Sequence, residues 1–179
     1  TAFAASIKET RPILTAVNLE AEGGKLSATA TDTARLARKK IAIKDDVNFV
    51  ANIPAKKLQD IVHSFENADD VTIAVSDKKA VFSFSNTVIS TRLTNGDYPN
   101  TKNIVPTNFS YFLEVNAQEF LKAMERVSLL SAEFEGVVKM IMDQDEVEMI
   151  SRSSLVGSAN EKLQVFQFSG DHLEISFRA

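Results

Sequence analysis

One motif recurs along this chain, closing each time on an apolar residue, a variable residue and alanine: Ile53-Pro54-Ala55, Val115-Asn116-Ala117 and Phe177-Arg178-Ala179. The first two lead straight into amphipathic patterns, and the third is the last residue triplet of the sequence. A chain built on such a period is restricted to stacking copies of one supersecondary unit, because a single copy cannot bury its own apolar face. The repeat leads to the expectation that the sequence breaks off where a further helix begins.

The helices come first. After Ala55, residues Leu58, Ile61, Val62 and Phe65 fall at i, i+3, i+4 and i+7, one stripe of a helix. After Ala117 the same spacing is held by Phe120, Ala123, Met124 and Val127. Asn116 is a suitable N-cap, and Pro54 is tolerated at a helix start, where its missing N–H needs no partner. Alternating strands over residues 48–53 and 109–115 precede the two helices. Hairpins follow them, joining residues 71–75 to 81–84 and 137–142 to 147–150. A third hairpin lies earlier, with Glu22-Gly23-Gly24-Lys25-Leu26 between residues 17–21 and 26–30. A closing strand completes each copy, over residues 38–43, 86–93 and 162–168. The unit is therefore strand, helix, three strands. The first copy lacks its leading strand and helix, the second and third are complete, and residues 173–177 open a fourth. The polar stretch 94–106, broken by Gly96, Pro99 and Pro106, reads as a connector between domains of two units each.

Composition narrows the function classes. The chain has 179 residues, room for one domain or two small ones, with 44% hydrophobic and 25% charged residues as in ordinary globular proteins. It has no cysteine, so disulfides and thiolate metal sites are excluded. No apolar run is long enough for a membrane helix, and neither a secretory pattern nor an initiator methionine opens the sequence. These features lead to the expectation of a cytoplasmic protein without a membrane partner. The formal net charge of −4 does not advertise nucleic-acid binding, although it says nothing of the charge on one face.

The search for chemistry is mostly negative. The sequence holds no glycine-rich phosphate loop, no paired-histidine metal spacing and no nucleophile elbow. Asp45-Asp46 and Asp69-Asp70 read as solvated loop charges, and His63 falls on the polar side of its helix. His172 falls in a turn with no catalytic partner. No cofactor, metal or catalytic residue is expected. A hydrolase using Asp32, Asp97 or His63 finds no base–nucleophile pair to support it. Two constellations remain. Thr31-Asp32-Thr33-Ala34-Arg35-Leu36 follows a strand, and residue types alone favour a turn held by Thr and Asp side chains. Lys56, Lys57, Gln59 and His63 on one helix, with Lys122 and Arg126 on the other, read either as solvated surface or as helices facing a polyanion, whose phosphates lysines would contact without sequence preference.

Arg11-Pro12-Ile13-Leu14, Glu22 to Leu26, Ala28-Thr29-Ala30-Thr31-Asp32 through Arg35-Leu36-Ala37, Ile53-Pro54 with Lys56, Gly96-Asp97-Tyr98-Pro99, Ile104-Val105-Pro106 and Val137-Val138-Lys139-Met140 are collinear with one family. Over essentially its whole length the chain resembles the bacterial DNA sliding clamp, the beta subunit of DNA polymerase III. The resemblance implies an α+β fold of repeated β-α-β-β-β units, with outer antiparallel sheets and helices on the inner face. It implies a non-catalytic processivity factor: a homodimeric ring of six similar domains that encircles and slides on double-stranded DNA. Residues 1–106 would be the middle domain, lacking its first strand and helix, with its connector. Residues 107–179 would be the first part of the last domain.

Members of this family tether the replicative polymerase, the clamp loader and repair polymerases through short peptides that enter a hydrophobic pocket. By motif position this chain's share of that pocket would be Leu14, Thr31, Thr33, Arg35, Leu36, Pro99, Asn103 and Ile104. Leu14, Leu36, Pro99 and Ile104 would receive an apolar anchor, and Thr31 and Arg35 would bond polar atoms of the peptide. Lys56 matches a basic family position facing DNA, and helix-face geometry extends that role to Lys57 and Lys122. The chain departs from the family in three places. Thr33-Ala34 stands where Gly or Ser and then His are usual, Asn103 where a basic residue is common, and Arg178 where Asn is usual. The implied setting is the bacterial cytoplasm, at the nucleoid. The competing reading is a β-rich protein-interaction module that does not bind DNA.

Overall fold

The computed structural model describes residues 1–65, 68–130, 136–155 and 157–178. The chain divides into two compact units, Thr1–Thr101 and Lys102–Ala179. Ala179, which closes the third motif, lies outside the described residues.

In the first unit, β1 (Ala16–Glu22), β2 (Lys25–Thr31) and β3 (Leu36–Ala42) form an antiparallel meander. The β1–β2 turn needs two residues with positive φ, and Gly23 and Gly24 supply +57° and +69°. β4 (Phe49–Pro54) runs directly into α1 (Ala55–His63), with Pro54 at the junction. β5 (Thr72–Val75), β6 (Lys79–Phe84) and β7 (Thr87–Arg92) make a second meander. The leading strand β4 does not pair with its own meander. It adds to β1 of the preceding copy, giving the order β3-β2-β1-β4, while β5-β6-β7 stand as a separate sheet.

The second unit repeats this pattern. β8 (Phe112–Glu114) leads to α2 (Ala117–Ser128), whose N-cap Asn116 accepts the N–H groups of Gln118 at 3.0 Å and Glu119 at 3.1 Å. β9 (Val137–Met142), β10 (Glu146–Ser153) and β11 (Gly157–Gln164) follow. β13 (Leu173–Arg178) adds to β9, giving the order β11-β10-β9-β13. The two four-stranded sheets are thus built alike. Each takes the opening strand of one copy against the first hairpin strand of the copy before.

Each unit has its own core. In the first, Val17, Leu19, Ala30, Ala51 and Ile53 from the four-stranded sheet meet Ile61 of α1 and Ala80 and Phe82 of β6. Phe65 caps the helix end, edge-on to Phe84 at 4.8 Å between ring centroids. In the second, Ala123 and Val127 of α2 pack on Val138, Met140, Met142, Val147 and Met149.

Three expectations change in detail. Val62, placed in the α1 stripe, is 51% exposed, because the helix turns its Leu58–Ile61 side to the core. The strand expected over residues 109–115 forms only at Phe112–Glu114. The closing strand expected over 162–168 is two strands. β11 ends at Gln164, and β12 (Gln167–Ser169) pairs instead with β8. The change of partner is visible in the backbone: the Val165 N–H bonds Asp145 O at 3.4 Å, and the next, Phe166, bonds Glu114 O at 2.8 Å.

Candidate functional site

A polar network crosses the four-stranded sheet of the first unit. Cross-strand register places Asn52, Asn18, Thr29 and Arg38 in one row across β4, β1, β2 and β3. Their neighbours along each strand, among them Val17, Ile53 and Ala30, point into the core, so the polar row lies on the opposite face. Residues 94–101 cross over this row as a strap. Thr94 N–H donates to Asn52 O at 2.7 Å, and the Asn52 amide donates to Gly96 O at 3.1 Å while Asn18 donates to its oxygen at 2.9 Å. Gly96, at φ +112°, passes close to the Ile13 side chain. Thr31 N–H donates to the Tyr98 hydroxyl at 3.0 Å. At the far end Arg38 Nη2 donates to Thr101 O at 2.9 Å and to the Thr101 hydroxyl, and its Nε to Thr29 Oγ1 at 3.3 Å.

The segment from Thr31 to Leu36 forms a hook between β2 and β3. Thr31 Oγ1 donates to Arg35 O at 2.6 Å and accepts the Thr33 N–H at 3.1 Å. Asp32 accepts the N–H groups of Ala34 and Arg35, each at 3.0 Å, and Arg35 Nε at 3.0 Å. Those contacts, led by the Arg35 N–H, hold the Asp32 carboxyl below its ordinary pKa against the opposing effect of burial. They also hold Thr33 at φ +82°, a conformation that favours glycine and is strained for a β-branched residue. The departure noted in the sequence, Thr33 where the resemblance implies Gly or Ser, therefore falls where the backbone favours glycine.

The sequence-derived residues are placed as follows. Thr31 and Leu36 are directly opposed in the β2–β3 register, and Thr33 and Arg35 are exposed between them. Thr31's hydroxyl donates within the hook, whereas the exposed Arg35 guanidinium, bonded to Asp32 through Nε, turns further donors to solvent. Pro99 lies on the strap next to Tyr98 and is half-buried. Leu14 is only 3% exposed and is an enclosed residue rather than an open wall. Asn103 and Ile104 belong to the second unit, where both are exposed. Arg38, Tyr98 and the Asn18–Asn52 pair were missed by sequence reasoning. Tyr98 lay inside a motif already singled out.

Lys56 and Lys57 are exposed on α1, and Lys57 also lines an open groove of about 450 Å³ between α1 and residues 89–92 of β7, with Asp60, Ile61 and Ser64. Lys122 is exposed on α2, whereas Arg126 is held by Glu161 of β11 through two hydrogen bonds of 2.7 and 3.0 Å. His172 bonds Asp143 at 2.9 Å, and that contact raises its pKa. Among the described residues no group of three or more His, Asp or Glu side chains is arranged to hold a metal ion. No helix among them is long and apolar enough to cross a membrane.

Comparison with known proteins accounts for both units. Residues 1–100 match the family model for the DNA polymerase III beta subunit, central domain, and residues 102–179 match the model for its C-terminal domain. The chain is 37% identical to the beta sliding clamp of Bacillus subtilis over 182 aligned positions, covering 99% of this chain and 48% of that protein. It is 35% identical to the beta sliding clamp of Staphylococcus aureus, covering 100% and 48%. Among solved structures it is similar to the DNA polymerase sliding clamp of Bacillus subtilis, with a TM-score of 0.94, 34% identity and coverage of 99% of this chain and 48% of that one. For the beta subunit from the DNA polymerase of Streptococcus pyogenes the TM-score is 0.93 at 33% identity, with coverage of 99% and 49%. The chain spans about half the length of the relatives it matches. Its fold is that of the clamps, and it belongs to the family of the DNA polymerase III beta subunit.

Proposed function

We propose that this sequence is part of a processivity clamp, a non-catalytic ring that encircles double-stranded DNA and tethers replication and repair polymerases and the clamp loader to it. In this reading residues 1–106 are the middle domain with its connector, residues 107–179 begin the last domain, and the whole protein is a homodimer of the bacterial cytoplasm. The observation that carries the reading is the match of both units, in order and over nearly the whole chain, to successive domains of one family. A sliding contact with DNA has to be weak, sequence-independent and electrostatic. Exposed Lys56 and Lys57 on α1 and Lys122 on α2 suit that task, and Arg126, paired with Glu161, has less charge to offer.

The partner-peptide site is proposed on the hook and strap of the first unit. Arg35 and Leu36, adjacent on the hook, offer a cation and apolar surface, and Pro99 follows the strap residue Tyr98 that bonds the hook at Thr31, with Leu14 enclosed. This proposal rests on the first-unit residues alone.

The topological part is tested with the complete protein and its clamp loader. Protein loaded on nicked circular DNA should survive a high-salt wash and fall off when the circle is cut. Equal retention on circular and linear DNA, or none on either, would refute encirclement.

A further inference from the structure

We propose that Tyr98 is a positioning residue of the partner-peptide site: its hydroxyl, accepting the Thr31 N–H, sets the hook of residues 31–36 against the strap that carries Pro99. This inference rests on the reading of hook and strap as that site.

Three observations carry it. The hook is internally complete. The Thr31 hydroxyl and the Asp32 carboxylate accept the N–H groups of Thr33, Ala34 and Arg35, so its shape is set within itself. The strap is held independently of the hook, by Asn52 at the Thr94–Gly96 end and by Arg38 at Thr101. Between these two preformed pieces the Tyr98 hydroxyl takes the Thr31 N–H at 3.0 Å, across 67 positions of sequence, from the residue preceding Pro99. Tyr98 is half-buried, and its oxygen gives the N–H of buried Thr31 a partner. A phenylalanine could fill the same space but would leave that N–H unbonded and the hook free to shift relative to Pro99. Tyr98 need not touch the peptide for this to govern affinity.

The test uses the complete clamp and a synthetic peptide copying the C-terminal tail of the replicative polymerase from the same source. Tyr98→Phe should weaken peptide binding about five- to tenfold, the scale of one hydrogen bond. It should also move the Thr31 amide proton upfield. Arg35→Ala and Leu36→Ala serve as controls for the site itself. If neither control weakens the peptide, the site reading fails, and the inference with it. If both do, and Tyr98→Phe binds like the parent or leaves the Thr31 amide unmoved, the positioning role alone is overturned. Should Tyr98→Phe fold poorly, the parent protein decides: saturating peptide should slow hydrogen exchange at the Thr31 amide, and an unchanged rate would overturn the proposal.

Discussion

Arg38→Ala is the sharpest perturbation of the strap. Its guanidinium is shared between Thr101 and Thr29, which are only 6% and 5% exposed. The Thr101 and Thr29 hydroxyls can rotate toward other partners, so their loss counts for little. The Thr101 carbonyl cannot. Losing a charge-assisted bond to an enclosed carbonyl costs about 1.5–3 kcal/mol. Removing the packed arginine stem adds roughly 0.5–1 kcal/mol. The strap should therefore open more easily by about 3 kcal/mol, which is roughly a hundredfold in the opening equilibrium. Native-state hydrogen exchange in the complete protein reads this directly, at the Thr94 and Thr31 amides, whose acceptors are Asn52 O and the Tyr98 hydroxyl. Arg38→Lys keeps the charge but not the forked geometry and should fall between parent and alanine variant. Exchange less than about threefold faster in Arg38→Ala would refute the claim that this arginine pins the strap, since that corresponds to well under 1 kcal/mol.

Other outcomes follow from single residues. Gly170→Ala should destabilise the second unit by roughly 2–4 kcal/mol, because a Cβ there would lie 2.4 Å from Tyr111 Cδ1 at φ +125°; amide protection across β8–β12 would report it, and parent-like protection would contradict it. The lowered Asp32 pKa contributes stability that is present above the unfolded-state value of about 4 and lost as pH falls through the folded value. The Arg35 amide should thus stay protected at pH 5 and lose protection only as pH falls through the lowered Asp32 value, with Asp32→Ala unprotected throughout. Lys56→Ala with Lys57→Ala should weaken DNA contact at low salt and lower the slope of log K against log salt by about 0.9 for each phosphate contact removed; an unchanged slope would remove both residues from the DNA face.

Local signals were legible where the chemistry is local. Gly23-Gly24 read as a hairpin turn, Asn116 announced its cap, and the helical stripe at Phe120, Ala123, Met124 and Val127 is the side that packs in the second unit. The period itself announced matching sheets. Pairing was not legible: nothing in residues 49–54 says that they join β1 rather than their own meander, because every strand carries the same alternation. For the same reason the run 162–168 read as one strand, although its backbone bonds pass from the β10 hairpin to β8 at Val165–Phe166. The hook was legible as an Asx-type turn from Thr31, Asp32 and Thr33 alone. The strap network was not. Tyr98 meets Thr31 across 67 positions and Arg38 meets Thr101 across 63, distances that no window of sequence spans. Leu14 read as an apolar contact residue, yet its enclosure depends on the folded segment around it.

The most direct test of the peptide-site claim is an NMR titration of the complete clamp with the polymerase-tail peptide. The account predicts shifts at the Thr33, Arg35 and Leu36 amides and the Leu36 methyls, with the amides of Lys56 and Lys57 on α1 unmoved. Shifts confined to α1, or none at the hook, would contradict it.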